Sequence, residues 1–275
     1  FLVASLLTRL WLSKRQVNHI QAHQDQVPEA FAEKISLEEH QKAASYSITK
    51  LRFGRVTLGW ETLWLLLWTL GGGLNLVDNW WQGYDLSPLW TGIAFILSMS
   101  LLMGLLDLPF SLYSSFVIEQ KFGFNKMTLK LWFIDLIKTT VLMLVIGTPL
   151  IAAILWLMNQ AGPYWWLYAW SLWTAFSLLM IWAYPAFIAP LFNKFSALED
   201  ESLKQRIDNL LQRCGFQSKG VFVVDGSKRS AHGNAYFTGF GSNKRIVFYD
   251  TLLESLSEDE VEAVLAHELG HFKRN

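Results

Sequence analysis

Apolar residues in this chain gather into runs longer than a soluble core element needs. Residues 58–77, LGWETLWLLLWTLGGGLNLV, carry one charge, Glu61, and residues 89–110 carry one, Asp107. Residues 139–158 and 164–192 carry none. A bilayer core takes about 20 consecutive apolar residues in a helix, so each run predicts a membrane span. The third helix is expected to start near Leu131 and so to include Asp135 and Lys138. The fourth is expected to kink or end near Pro185 and Pro190, because proline breaks the helical hydrogen-bond ladder. Residues 1–12 read as the last part of a further span, and not as a signal peptide, since no small-residue cleavage site follows. Starting inside an apolar run and stopping at Asn275 within a helical pattern, the sequence reads as a fragment with five spans.

The pattern changes after Asn193. Leu203, Ile207, Leu210 and Leu211 recur at helical spacing over residues 198–213, and Gly215 supplies a stop. Residues 221–224, 235–240 and 245–249 are short β-branched or aromatic runs that predict strands. The last two are joined by Gly241-Ser242-Asn243-Lys244, a hairpin-type connection. The fold class expected is therefore a mostly α, polytopic membrane protein. A transmembrane helix bundle with loops at 13–57 and 111–130 would fill residues 1–192, and an α+β domain, incomplete at its C-terminal end, residues 193–275.

Composition agrees with the membrane reading. Of the 275 residues 52% are hydrophobic and 17% charged, against about a quarter charged in an ordinary soluble domain. All 14 tryptophans lie between Trp11 and Trp182. Trp80, Trp81, Trp90, Trp165 and Trp166 fall near span ends, where amphipathic rings prefer to sit. Basic residues set the orientation. The 13–57 loop holds Lys14, Arg15, Lys34, Lys42, Lys50, Arg52 and Arg55, and the 111–130 loop holds Lys121, Lys126 and Lys130. The connections at 78–88 and 159–163 hold none, so the basic loops and the 193–275 domain are expected on the cytoplasmic side. Lys plus Arg equals Asp plus Glu at 23 each, which leaves no basic field for nucleic acid. Cys214 stands alone and excludes an internal disulfide framework.

Charges within the spans are costly in lipid, so Glu61, Asp107, Asp135 and Lys138 should face the bundle interior or water. Asp135 and Lys138, three apart, are expected either to pair with each other or to line a chamber. Gly71-Gly72-Gly73 reads as a close-packing or kink site.

Candidate chemistry is concentrated in the final helix. Ser257 and Glu260 form a capping-box pattern, with Leu256 and Val261 as a hydrophobic staple. Val261, Val264 and Leu265 then lead into His267-Glu268-Leu269-Gly270-His271. Residues four apart share a helix face, so both imidazoles can reach one cation, while Glu268 is offset enough to hold a water without ligating. This is the H-E-x-x-H pattern of zinc peptidases. The bland alternative, two surface histidines that bind nothing, has to explain why the pattern lies on a well-capped helix beside a predicted hairpin.

The run Ser227-Lys-Arg-Ser-Ala-His-Gly-Asn-Ala-Tyr-Phe-Thr-Gly-Phe240, the following Lys244-Arg-Ile-Val-Phe-Tyr-Asp-Thr-Leu-Leu253 and the zinc helix resemble the CAAX prenyl protease type 1 branch of the M48 metallopeptidases. Glu119-Gln-Lys-Phe-Gly-Phe-Asn-Lys126 and Pro190-Leu-Phe-Asn-Lys-Phe195 resemble membrane-region motifs of that branch. The resemblance implies a gluzincin-like zinc endopeptidase whose helices enclose a water-filled chamber, with the zinc at its cytoplasmic end. It implies one Zn2+ per chain held by His267 and His271, with Glu268 as catalytic base and a third, glutamate ligand downstream of Asn275. It further implies that the 235–240 strand, beside the zinc helix, binds peptide by strand addition. Asn234, Ala235 and Tyr236 would then contact substrate, although Asn234 alone reads equally as a turn residue. His232 reads as structural or substrate-side, and not as a ligand. The expected partners are the lipid bilayer and a peptide or protein substrate, prenylated or membrane-associated. A membrane quality-control protease without prenyl preference would use the same site, and a bacterial inner membrane favours it over the endoplasmic reticulum. A non-catalytic scaffold or transporter would use the chamber without the metal.

Overall fold

The computed structural model describes residues 1–216, 218, 220–238 and 245–274, with backbone alone for Thr238 and residues 271–274. The chain forms two compact units, Phe1–Phe122 and Gly123–Asn275. The composition shift at residue 193 therefore falls inside the second unit.

The first unit contains α1 (Leu2–His23), α2 (Leu37–Thr69), α3 (Gly73–Gln82), α4 (Pro88–Tyr113), a π-helical stretch at Ser114–Glu119 and the short α5 (Gln120–Phe122). Most of the segment expected as a loop at 13–57 is thus helical, because α1 and α2 run well beyond their apolar runs. Ser36 starts α2 with a full capping box: its hydroxyl accepts from the Glu39 N–H at 3.2 Å, and the Glu39 carboxylate accepts from the Ser36 N–H at 2.9 Å. The expected 58–77 span is not one helix. It is divided at the glycine triplet, where Gly72 adopts a left-handed φ of 80°. There is no room for side chains beside it: a Cβ on Gly73 would lie 2.4 Å from the Trp68 ring, and one on Gly71 2.7 Å from the Leu67 carbonyl oxygen. At the other end of the unit, Glu119 of the π stretch accepts from the Tyr46 hydroxyl at 2.8 Å and from Lys50 Nζ at 2.9 Å, binding α2 to the end of α4.

The second unit holds α6 (Leu129–Gln160), α7 (Trp165–Ala183), a second π stretch at Tyr184–Ile188 and α8 (Ala189–Phe192). Next come β1 (Phe195–Ala197), α9 (Glu201–Cys214), β2 (Val221–Val224), β3 (Ala235–Thr238), β4 (Arg245–Tyr249), α10 (Asp250–Ser255) and α11 (Glu258–Arg274). The sheet has the order β1-β2-β4-β3, so β3 is an edge strand. β2 and β4 are parallel, whereas β1 and β3 run antiparallel to their neighbours, with Ala235 opposite Phe248 and Tyr236 opposite Val247.

Alternation along the strands decides what each sheet face covers. Val221, Ile246 and Phe248 turn to one side, where they meet Leu203, Ile207 and Leu211 of α9 and Val261, Leu265 and Leu269 of α11 in a single buried core. Val224 and Val247 are also buried, but stand on the opposite side. There Phe222 and Tyr236 face Pro185 and Pro190 across a cavity of about 120 Å³. Helix α9 begins at Asp200, whose carboxylate accepts from the Leu203 N–H at 3.0 Å, and ends at Gly215 with φ 68°, the stop expected from sequence.

Among the described residues three helical stretches are long and apolar enough to cross a membrane: Pro88–Phe122, Leu129–Gln160 and Gly162–Phe192, of 35, 32 and 31 residues. At 1.5 Å per residue the second is about 48 Å long, more than a hydrocarbon core of about 30 Å requires. The strands at 221–224 and 245–249 lie as expected, and β3 begins where expected at residue 235. The proposed turn at 241–244 and residues 239–240 lie outside the described residues. β1 and α10 were not expected from the pattern. Asp135 and Lys138 do not pair with each other. Asp135 accepts from Arg229, 94 residues away, at 2.8 and 3.0 Å, and Lys138 donates to the Leu191 carbonyl at 2.7 Å.

Candidate functional site

Helix α11 carries the H-E-x-x-H pattern, and its start is fixed as the sequence foretells. The Glu260 carboxylate accepts from the Ser257 N–H at 2.9 Å and from its hydroxyl at 2.8 Å, while Val261 N–H bonds the Ser257 carbonyl at 2.9 Å. Val261, Leu265 and Leu269, exposed by 1%, 1% and 3%, form the buried stripe of the helix. With one side fixed in the core, the other side is also fixed, at about 100° per residue. His267 is exposed on that outer side and Glu268 is half-buried beside it. Position 271 follows one turn later on the same side, its side chain outside the described residues.

Carboxylates earlier on the helix are otherwise engaged. Arg206 of α9 donates to Glu262 at 3.0 and 2.8 Å, bonds Asp259, and lies 3.5 Å from Glu258. Ser202 adds a hydrogen bond to Glu258 at 3.1 Å. The hydrogen bonds from Asp259 and Glu262 hold the guanidinium well above the ordinary arginine range. These acids join α9 to α11, so they are poorly placed to complete a metal site with His267. Among the described side chains, which do not include His271, no three His, Cys, Asp or Glu groups converge. The donor chemistry that α11 does offer, two imidazole positions one turn apart with a carboxylate beside them on the outer side, fits a zinc ion.

Asn234, Ala235 and Tyr236 open the edge strand. Asn234 is exposed; its side-chain oxygen accepts from the Ala235 N–H at 2.9 Å, and its carbonyl from the Tyr249 N–H at 2.9 Å. Ala235 and Phe237 pack against the core that Leu265 and Leu269 share, so strand and zinc helix rest on one foundation. Tyr236 points to the opposite sheet face, edge-on to Tyr249 at 6.3 Å between ring centroids. His232 stacks on Phe124 at 4.2 Å, and its carbonyl accepts from the Thr251 hydroxyl at 2.9 Å. The roles of Arg206 and Arg229 were not legible in advance, since their partners lie more than fifty positions away and no local spacing links them.

The descriptions of known families fit this architecture. Residues 16–194 match the family described as CAAX prenyl protease N-terminal, five membrane helices, and residues 197–275 match peptidase family M48. A CAAX prenyl protease 1 homolog of Oryza sativa is 40% identical over the whole chain, which covers 66% of that protein. The CAAX prenyl protease 1 of Saccharomyces cerevisiae is 36% identical, with 63% of its length covered. The crystal structure of S. mikatae Ste24p superposes on the whole chain with a TM-score of 0.92 at 36% identity, and 65% of it is covered. The chain thus spans about two thirds of the length of these relatives. It belongs to peptidase family M48, and its helical region belongs to the CAAX prenyl protease N-terminal family.

Proposed function

We propose that this chain is the membrane region and zinc helix of a metalloendopeptidase. The observation that carries the reading is the outer side of α11, where His267, Glu268 and position 271 follow one another on a helix anchored beside an edge strand. His267 and His271 hold one Zn2+ by their imidazoles, and a glutamate beyond Asn275 completes the ligands, as the family resemblance implies. Zinc, when bound, supplies a Lewis acid that polarises the scissile carbonyl and acidifies water. Glu268 takes the proton of the attacking water and returns it to the leaving amine. Its half-buried position favours this role, because partial desolvation makes a carboxylate a better base. Substrate lies extended along β3, whose outer edge has no strand partner among the described residues. Asn234, Ala235 and Tyr236 are the residues assigned to hold it.

The peptidase domain corresponds to residues 193–275 and faces the cytoplasm, and the helices of residues 1–192 carry it in the membrane. Its substrate is a peptide or protein that reaches the site from the bilayer. The names of the relatives favour a prenylated substrate and an endoplasmic reticulum membrane. A quality-control protease of a bacterial inner membrane would use the same residues without the prenyl preference. In the full-length protein, Glu268→Ala should retain zinc and lose peptide hydrolysis by at least about 100-fold, whereas His267→Ala should lose the metal. Wild-type turnover by Glu268→Ala would remove Glu268 as the base. A metal-free wild-type protein would favour the scaffold or transporter reading.

A further inference from the structure

Three separate stretches of sequence meet at Arg229. Its guanidinium donates to both carboxylate oxygens of Asp135 on α6, at 2.8 and 3.0 Å, and to Asn193 Oδ1, just after α8, at 2.7 Å. The Arg229 and Asp135 side chains are 17% and 16% exposed, so the fork is largely withdrawn from water. The backbone on either side of Arg229 is fixed as well. Its carbonyl accepts from the Lys126 N–H at 3.2 Å, and the Ala231 N–H bonds the Phe124 carbonyl at 2.9 Å. Asn125 and Ser230 form an antiparallel bridge between these two bonds.

What this anchor holds is the approach to β3. After Ala231 the chain is fixed by the His232 stacking and carbonyl bonds described above. A Cβ on Gly233 would come within 3.2 Å of Leu252, so the backbone passes close against α10. Asn234 then bonds Tyr249, and β3 begins one residue later. No slack separates the fork at Arg229 from the strand assigned above to receive substrate. A bidentate pair with a third hydrogen bond specifies direction as well as distance, which a lysine at the same position could not.

We propose that Arg229 is a positioning residue: held by Asp135 and Asn193, it sets the placement of the substrate-bearing edge strand from a membrane helix. It touches neither substrate nor metal. Its loss therefore loosens peptide binding and leaves the chemical step and the zinc site intact. The effect on catalysis rests on the peptidase reading; the anchoring of β3 does not.

The test uses the full-length protein with Arg229→Gln, Arg229→Lys, Asp135→Asn and the double variant Arg229→Gln/Asp135→Asn. Amide hydrogen exchange should quicken about 10-fold or more at residues 230–238 and stay unchanged at residues 258–266. KM for a peptide substrate should rise about 10-fold with kcat within about twofold and zinc content equal to wild type. Arg229→Lys should recover little, and the double variant should be no worse than either single one, as expected of two groups acting as a unit. Exchange that is unchanged, or that quickens across the whole domain, overturns the anchor. A fall in kcat at constant KM, or loss of zinc, overturns the positioning role. A wild-type protein that does not hydrolyse peptide refutes the peptidase reading instead, while the exchange measurement still decides the anchor.

Discussion

Tyr236 sits half-buried on the sheet face away from α11, and burial, with Tyr249 and Tyr184 adding to it, pushes its hydroxyl up to about 12. An unfolded chain would return it to an ordinary value near 10. The folded state thus holds the proton more tightly, which adds stability that is complete below pH 10 and lost as the pH rises through 12. Tyr236→Phe should remove this part of the alkaline loss, visible as a shallower fall of unfolding temperature between about pH 10 and 12. At neutral pH the same change tests whether the hydroxyl contacts substrate, since KM alone would then respond. Single residues were unevenly legible in the sequence. His267, Glu268 and His271 announce themselves because four-residue spacing on a helix is geometry in itself. Asp135 misled for the same reason, with Lys138 at helical distance and its actual partner, Arg229, 94 positions away.

Among elements, those with a local cause were foreseen and those with a tertiary cause were not. α9 and α11 carry their own caps and apolar stripes, and β2 and β4 their own β-branched runs. β1 is three residues long and α10 six. Both owe their form to neighbours, β1 to pairing with β2 and α10 to packing of Leu252 into the core. The glycine triplet shows where hydropathy misleads: an uninterrupted apolar run hides a break, because glycine is neutral on a hydropathy scale and permissive in backbone. Gly72 has open space around it, so the cost of a side chain there is conformational. Gly72→Ala should destabilise the protein by about 1–2 kcal/mol. Gly104, helical in α4 and with nothing within 4 Å of an added Cβ, should accept alanine with a gain of up to about 1 kcal/mol. Thermal unfolding of both variants in one detergent makes the comparison, and equal shifts would contradict the left-handed assignment.

For the whole molecule, the alternation of Lys and Arg between successive connections predicts which ends of the helices share a side of the membrane. Ser87, which precedes α4, lies in a connection without basic residues, whereas Ser218 lies in the charged domain. With Cys214 replaced by serine to remove the native thiol, a cysteine at Ser87 should react with an impermeant reagent in intact cells. One at Ser218 should react only after permeabilisation. Labelling of both from one side would refute the five-span arrangement.

The two π-helical stretches, Ser114–Glu119 at the end of α4 and Tyr184–Ile188 at the end of α7, each accommodate a residue that an α-helix of the same span would not hold. Such a bulge works as a length gauge. Removing one residue from within it lets the helix revert to regular winding, which draws whatever follows back by about 1.5 Å and turns it through about 100°. Downstream of the first bulge are Glu119 and the Phe124-Asn125-Lys126 stretch; downstream of the second are Asn193 and β1. Evolution can therefore exchange side chains along these helices far more readily than it can change their residue count, and single-residue gaps should be rarer inside the bulges than in the connection at residues 83–87.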